Sequence, residues 1–413
     1  MSAFAYKCFV NIASLCNCRC DRTTGEGPDI KQRHPLLNAF QEDILDIPYL
    51  NDPEVLDFLR ERYEQGYIYT YSGSVLVVLN PFDQVKPDVH GSKLIREFSD
   101  EIIQECINNT NAASIAAITN LAVLPRSMKH TILISGESGS GKTETCKSLV
   151  LAFGSSMEED CLPEAAKQMH QLLLHKLQLA YGILDSFGNA CTLTTSNSSR
   201  YGKLIELQFG LRYNLVNCRI QTYLLESSRI YTQQANERNF NIFYEMIAGT
   251  NAQEMRELKM LPMGSYHFLN QGGQVSTEEI SVYKQRFGEL KRNLREIGLG
   301  GDAFQDVQRV LIGILTLGQL QFFNNGDSDS NALQQANESV WENASILLGL
   351  NKADLVRILT VKTLITPLKE TFQVQLSPQY SEAARDATVK LIYRLLFDKL
   401  VGDINNLLVA EER

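Results

Sequence analysis

The sequence predicts an α/β fold that becomes mostly helical towards its C-terminus, on three observations. Runs of aromatic and β-branched residues such as YIYTYSGSVLVVL indicate strands. The short apolar run TILIS precedes a glycine-rich turn and a helical pattern, which is typical of a buried parallel strand leading into a helix. From about residue 236 onward, apolar residues recur at helical spacing. With 413 residues and 44% hydrophobic content, the chain is long enough for two or three domains.

The charge and the apolar content argue against several classes of protein. A formal net charge of -9 and the lack of a dense Lys/Arg block are evidence against nucleic-acid binding. No uncharged apolar run reaches the length that crosses a bilayer, and the first residues lack a clean cleavage site for a secretory signal. Nine cysteines, an odd number in a long chain, fit reduced thiols. We therefore expect a cytoplasmic protein.

Residues 1–35 are expected to form a disordered leader, because Gly and Pro interrupt a polar stretch without sustained periodicity. Its distinctive feature is the group Cys16, Cys18 and Cys20. Their spacing is too tight for an ordinary zinc site, and S-acylation needs a membrane-seeking segment that is weak here. We interpret them as incidental thiols.

The next part of the chain predicts a helix, a pair of strands and a strand-loop-helix unit. From residue 53, PEVLDFLRERYEQG has apolar residues at helical spacing and ends near Gly66. The strand pair that follows ends at Asn80-Pro81. An alanine-rich helix is expected over residues 112–128. The strand over residues 131–135 then leads through the glycine turn into the helix KTETCKSLVLAF.

Two further strands and a series of helices are predicted downstream. The strands are KLIELQF, residues 203–209, and RIQTYLL, residues 219–225. In FQDVQRVLIGILTLGQL, apolar residues recur every three or four positions and form a core-facing stripe. A last helix starts at Ser377-Pro378, with proline at its first position, and runs to about Val409 with Gly402 as its weak point.

The glycine turn ISGESGSGKTET matches the phosphate-binding pattern G-x-x-x-x-G-K-[ST] in the required strand and helix context. The glycines allow backbone N–H groups to surround phosphate oxygens, and the helix N-terminus adds its positive dipole end. Lys142 is expected to reach the β- and γ-phosphates, and the Thr143 hydroxyl to bind Mg²⁺. The candidate nucleotide-binding residues of the turn are Gly136, Glu137, Ser138, Gly139, Ser140, Gly141, Lys142, Thr143 and Glu144.

A second cluster lies downstream, SNSSRYGKLIEL at residues 196–207, with SFGNACT just before it at residues 186–192. Together with GESGSGKTET, it resembles the switch I and the phosphate loop of the myosin motor, in the family's order. The resemblance covers roughly residues 40–408 through the segments ERYEQGYIYTYSGSVLVVLNPF, TYLLESSRI, ERNFNIFYEMIAG, YHFLNQGG and LFDKLVGDINNLL.

The resemblance implies an architecture for the chain. The expected fold is a P-loop NTPase motor core with a mixed, mostly parallel sheet flanked by helices, plus a largely helical upper subdomain. After the leader, residues 36–210 would form the N-terminal part of the core, with the phosphate loop and switch I. Residues 211–413 would form the remaining core strand and the actin-side helical subdomain, ending before switch II.

Individual residues take on roles from the same resemblance. Ser199 would supply the second protein hydroxyl to Mg²⁺, and Ser198 would lie beside the γ-phosphate and the attacking water. Arg200 would form a salt bridge with a glutamate of switch II. Lys142, Ser198 and Arg200 are thus the candidate catalytic residues. The NPF loop and switch I complete the nucleotide-binding set with Asn80, Pro81, Phe82, Asn197, Ser198 and Ser199.

Three departures from the family pattern modify these expectations. Thr195 stands where the family usually has an asparagine, so one contact to the phosphates is shortened or lost. DQVKPDVHG replaces the usual basic and tyrosine-containing stretch, which leaves His90 as the nearest aromatic candidate for the base. The switch II pattern DIxGFE is not reached by Arg413, and the D-x-x-G of residues 185–188 lies upstream of switch I. Arg200 is therefore expected to lack its partner, and turnover is expected to be low.

Three candidate functions follow. The first is a myosin-type actin-based motor, present as an incomplete head, with ATP and Mg²⁺ as cofactors, the actin filament as partner and a place in the cytoskeleton. The second is a nucleotide-binding remnant or interaction module without efficient ATPase or force generation, which describes the turnover expected of this chain. A third, another P-loop enzyme such as a small-molecule kinase, is disfavoured because the motor-like segments far from the loop would then be coincidence.

Overall fold

The computed structural model describes residues 5–12, 41–48, 50–81, 95–100, 130–155, 163–210, 214–322, 338–365 and 371–409. The chain divides into two compact units, Met1–Lys167 and Gln168–Arg413. Several sequence predictions lie outside the described residues: the helix over residues 112–128, Phe82, His90 and the cysteines Cys16, Cys18 and Cys20.

The strands and helices are numbered in chain order. The strands are β1 Ala5–Ile12, β2 Tyr69–Ser72, β3 Val75–Leu79, β4 His130–Gly136, β5 Asn189–Ala190, β6 Ser198–Ser199, β7 Gly202–Phe209, β8 Leu215–Tyr223, β9 Val361–Ile365 and β10 Thr371–Gln375. The α-helices are α1 Asp52–Glu64, α2 Lys142–Ser155, α3 Glu164–Gly188, α4 Asn241–Gly249, α5 Ala252–Glu257, α6 His267–Asn270, α7 Thr277–Ile297, α8 Asp302–Leu317, α9 Glu338–Leu348, α10 Lys352–Thr360 and α11 Pro378–Leu407.

A four-stranded sheet in the order β2-β3-β1-β4 organises the first unit. Strands β2 and β3 form an antiparallel hairpin, with Tyr69 opposite Val78, as the aromatic and β-branched run predicts. Strand β1 runs parallel to both β3 and β4. It lies within residues 1–35, where we expected a disordered leader, so the sequence pattern missed this strand. Its partners are distant in the sequence, and local periodicity does not reveal such pairing.

Side chains from two helices pack with β3 in the first unit. Phe58 and Leu59 of α1 cluster with Val77 and Leu79. The alternate strand residues belong to a second cluster with α2, whose members include Leu76, Val78, Leu149, Ala152 and Phe153. Successive strand residues point to opposite faces, so both faces of β3 are buried. This explains why β3 reads as the continuous apolar run VLVVL.

The second unit is mostly helical, and β7 and β8 form its longest antiparallel strand pair among the described residues. The long helix α11 contributes Tyr393, which is fully buried and stacks on Phe240 with 4.9 Å between ring centroids. The Tyr393 hydroxyl donates to the carbonyl of Phe187 at 2.6 Å. The predicted stripe of α8 is confirmed, because Phe304, Leu311 and Leu315 are buried. No helix within the described ranges combines the length and apolar character needed to cross a membrane.

Three strands of the second unit differ from the prediction. Strand β8 ends at Tyr223 rather than at residue 225, because Leu224 has a left-handed backbone with φ of 53° that a strand does not accommodate. Strands β9 and β10 form an antiparallel hairpin in a region predicted to be helical. TFQVQ alternates polar and apolar residues, a strand signal that the helical patterns around it obscured.

Candidate functional site

The glycine turn connects β4 to α2 within the first unit. Strand β4 ends at Gly136 and α2 begins at Lys142, so residues 137–141 form the loop. Gly139 and Gly141 have φ of 83° and 89°, a left-handed backbone that favours glycine. The N–H of Ser140 donates to the carbonyl of Glu137 at 3.2 Å within the turn. The strand-turn-helix arrangement that the phosphate-binding motif requires is therefore present.

Two side chains, Lys142 and Asn80, contact the backbone of the loop. Lys142 Nζ donates to the carbonyl oxygens of Gly136 at 2.8 Å and Glu137 at 2.6 Å. Asn80 Nδ2 donates to the carbonyl of Gly139 at 2.6 Å. The ammonium group is thus held at the loop by neutral acceptors, and an anion there would be a stronger acceptor.

The other predicted residues of the loop surround the first turn of α2. Glu137 and Ser138 are exposed, Ser140 is buried, and Thr143 is half-buried. Glu144 is exposed and pairs with Lys147 at 3.0 Å. The first N–H groups of a helix have no partner inside the helix and carry partial positive charge, so this end of α2 suits an anion.

The predicted switch I lies in a small hairpin of the second unit. Ala190 of β5 pairs with Ser198 of β6, and Asn189 pairs with Ser199. The residues between the strands form a turn in which the N–H of Asn197 donates to the Thr195 hydroxyl at 3.4 Å. Thr195, the residue that departs from the family pattern, therefore accepts a hydrogen bond within the turn. The D-x-x-G of residues 185–188 is the end of helix α3 rather than a loop.

Arg200 follows the hairpin and contacts two side chains of the second unit. Its Nη2 donates to Ser198 Oγ at 2.8 Å, and Ser198 is buried. Its Nη1 lies 3.3 Å from Glu226 Oε2. The expectation that Arg200 lacks an acidic partner in this chain is wrong, because Glu226 supplies one. Glu226 lies within the myosin-like segment TYLLESSRI, but 26 positions from Arg200 in the sequence, and only folding brings the two together.

The metal expectation rests on hydroxyl groups. No group of three or more His, Cys, Asp or Glu side chains could hold a metal ion in the part of the chain that the structure describes. The predicted ligands are instead Thr143, in the first turn of α2, and Ser199, in β6. Hydroxyl oxygens are hard donors that fit Mg²⁺ when water and phosphate oxygens complete its octahedron.

Comparison with known proteins agrees with this geometry. The family model "Myosin head (motor domain)" matches residues 41–413. The chain belongs to the myosin motor-domain family. This myosin chain is 32% identical to Myosin-2 of Lachancea kluyveri over 393 residues, which cover 95% of this chain and 25% of that protein. It is 30% identical to Myosin-13 of Arabidopsis thaliana over 365 residues, which cover 88% of this chain and 24% of that protein.

The family assignment establishes the fold at a coarse level. A myosin head has the P-loop NTPase motor fold, and this myosin chain combines helices and strands accordingly. The chain spans about a quarter of the length of the curated relatives it matches. Two site contacts were not foreseen from the myosin-like motifs: Glu226, which pairs with Arg200, and Asn241, which contacts Asn197.

Proposed function

We propose that this chain forms the nucleotide-binding part of a myosin-type actin-based motor, and that it binds and hydrolyses Mg-ATP. The observation that carries the proposal is the loop between β4 and α2, where two left-handed glycines, a helix N-terminus and the Lys142 ammonium group lie together. The ammonium group and the helix N-terminus are both positive, which suits the negative charge of a nucleotide phosphate chain.

Specific roles follow for the residues of the loop. Lys142 exchanges its bonds to the Gly136 and Glu137 carbonyls for bonds to the β- and γ-phosphates. Asn80 holds the loop through the Gly139 carbonyl while the backbone N–H groups of the loop orient the phosphates. Pro81 and Phe82 are carried over from the resemblance as further nucleotide-binding residues. All of these groups position the substrate, which is the main catalytic contribution in phosphoryl transfer.

The residues of switch I would act at the γ-phosphate. Ser199 and Thr143 are the proposed protein ligands of Mg²⁺, an ion that neutralises charge on the β- and γ-phosphate oxygens when bound. The Ser198 hydroxyl accepts a hydrogen bond from Arg200, and in the proposed step it takes a proton from the attacking water as it passes its own proton to the γ-phosphate. Arg200 orients this hydroxyl, and Glu226 holds Arg200.

The wider assignments remain proposals of the same kind. Family membership supports the actin filament as partner and a place in the cytoskeleton of the cytoplasm. We also retain, from the resemblance, a mixed and mostly parallel motor-core sheet and the division into residues 1–35, 36–210 and 211–413.

The test measures Mg-ATP binding and single-turnover hydrolysis by the 413-residue chain, with and without filamentous actin. Lys142→Ala should weaken binding by about tenfold to a hundredfold, because a hydrogen bond to a charged group is lost. The matched control is Lys147→Ala, which removes a cation from the same helix and should leave binding unchanged. Equal effects of the two substitutions, or no binding by the wild type, would refute the proposal. Lys142-dependent binding without turnover would support the nucleotide-binding module instead of the motor.

A further inference from the structure

Asn241 is the first residue of α4, and its side chain reaches the turn of the switch I hairpin. Asn241 Nδ2 donates to Asn197 Oδ1 at 2.9 Å. Asn241 itself is buried, with 2% of its surface exposed, whereas Asn197 is exposed. The bond therefore connects an exposed turn to the interior of the unit.

The helix that carries Asn241 is a rigid support. Ile242, Phe243, Tyr244 and Met246 have no exposed surface, and closely packed interiors hold their side chains in single positions. The preceding residue, Phe240, forms a backbone bridge with Ala190, which pairs in turn with Ser198. Phe240, just before α4, thus contacts strand β5 of the hairpin through its backbone. The Asn241 side chain contacts the exposed turn of the same hairpin.

The second amide atom of Asn241 argues against a purely stabilising role. Asn241 Oδ1 is buried and has no hydrogen-bond partner among the described residues. A buried acceptor without a partner is destabilising, and an apolar side chain of similar shape would remove that cost. Stability alone is therefore a poor explanation for a polar side chain here, whereas the donation of a hydrogen bond to Asn197 requires a polar side chain.

We propose that Asn241 is a positioning residue for switch I: its donated hydrogen bond fixes Asn197, and with it the adjoining Ser198 and Ser199, before nucleotide binds. This inference rests on the proposed function, because it assigns Asn241 to the same nucleotide site. Because the turn is already ordered, nucleotide binding loses less conformational entropy.

The experiment compares Asn241→Leu with Asn343→Leu in the 413-residue chain. Asn343 lies on α9 and accepts a hydrogen bond from Lys259 at 2.7 Å. It serves as a matched control for the loss of an amide side chain. Asn241→Leu should accelerate hydrogen exchange of residues 195–200 without nucleotide and weaken binding of a fluorescent ATP analogue by about threefold to tenfold. Its unfolding midpoint should stay the same or rise. Asn343→Leu should change neither exchange nor binding at switch I.

A double-mutant cycle with Asn197→Ala tests the contact itself. Once Asn197 lacks its acceptor, Asn241→Leu should produce no further change, so the effects should not add. Additive effects, or unchanged exchange in Asn241→Leu, would overturn the inference. If Asn241→Leu does not fold, Asn197→Ala alone must produce the accelerated exchange. A wild-type chain that fails to bind nucleotide would refute the proposed function, whereas the exchange data would still decide whether Asn241 holds the turn.

Discussion

The guanidinium of Arg229 lies 2.9 Å from the carboxylate of Glu237, and both side chains are mostly buried. On its other side, Arg229 lies 3.2 Å from Glu226, the glutamate that also contacts Arg200. The Glu226 side chain is 40% exposed, compared with 13% for Glu237. One arginine thus has one buried and one solvated carboxylate partner.

This difference predicts unequal losses of stability. Glu237→Gln should lower the free energy of unfolding by about 3 kcal/mol, because a buried charge loses its buried partner. Glu226→Gln should lower it by about 1 kcal/mol or less, because water already screens that pair. Urea unfolding curves of the two variants measure both values. Equal losses would show that burial does not determine the strength of these pairs.

Glu245 of α4 makes stability depend on pH. Burial raises the pKa of Glu245 from 4.5 to about 7, against the opposing influence of the Ser186 hydroxyl and Arg286. The unfolded chain releases this proton near pH 4.5, while the folded chain keeps it until about pH 7. Between these values the folded state binds more protons, so the stability from this residue falls as pH rises, by up to about 1.4 kcal/mol per pH unit.

Glu245→Gln removes that titration. The variant should gain stability relative to the wild type as pH rises from 4.5 to about 7, and its advantage should level off above that range. Thermal unfolding at half-unit intervals from pH 4.5 to 8 measures the difference. The control Glu257→Gln changes an exposed glutamate of α5 and should keep the wild-type slope. A constant difference between Glu245→Gln and the wild type would contradict the prediction.

Asn405 of α11 continues the hydrogen bonding of strand β8. Its Oδ1 accepts from the N–H of Ile220 and its Nδ2 donates to the carbonyl of the same residue, both at 2.8 Å. Asn405→Ala should cost about 2 kcal/mol, because both backbone groups lose these bonds. The exposed control Asn270→Ala, which loses a 3.3 Å bond to Gly264, should cost less than about 0.5 kcal/mol. Chemical denaturation measures the free energy of unfolding of both variants. Similar losses in the two variants would mean that the Asn405 hydrogen bonds do not stabilise the chain.

Two glycines should respond to alanine in opposite directions. A Cβ at Gly188 would lie 2.2 Å from the ring of Tyr201, which packs edge-on against Phe397. Gly188→Ala should therefore destabilise the chain by about 2 kcal/mol, since the ring must move. A Cβ at Gly402 would have no neighbour within 4 Å among the described residues, and Gly402→Ala should stabilise α11 by about 0.5 to 1 kcal/mol. Melting temperatures that shift in the same direction would contradict this pair of predictions.

Local patterns predicted the elements around the phosphate loop well. The strand and the helix that flank the GESGSGKTET turn were both expected and are both present. The hairpin β9-β10 and strand β1 were missed, because one lies among helical patterns and the other pairs with strands far away in sequence. The roles of Lys142, Ser198 and Ser199 in nucleotide and metal binding remain predictions.

The sequence by itself determined the family, the order of the motifs and the residue types of the phosphate loop, because these depend on neighbouring positions in the chain. Tertiary structure alone decided which side chains hold the switch residues: Glu226 beside Arg200, and Asn241 beside Asn197. Each of these pairs joins residues 26 or more positions apart, so the contact depends on how strands and helices pack rather than on any local pattern.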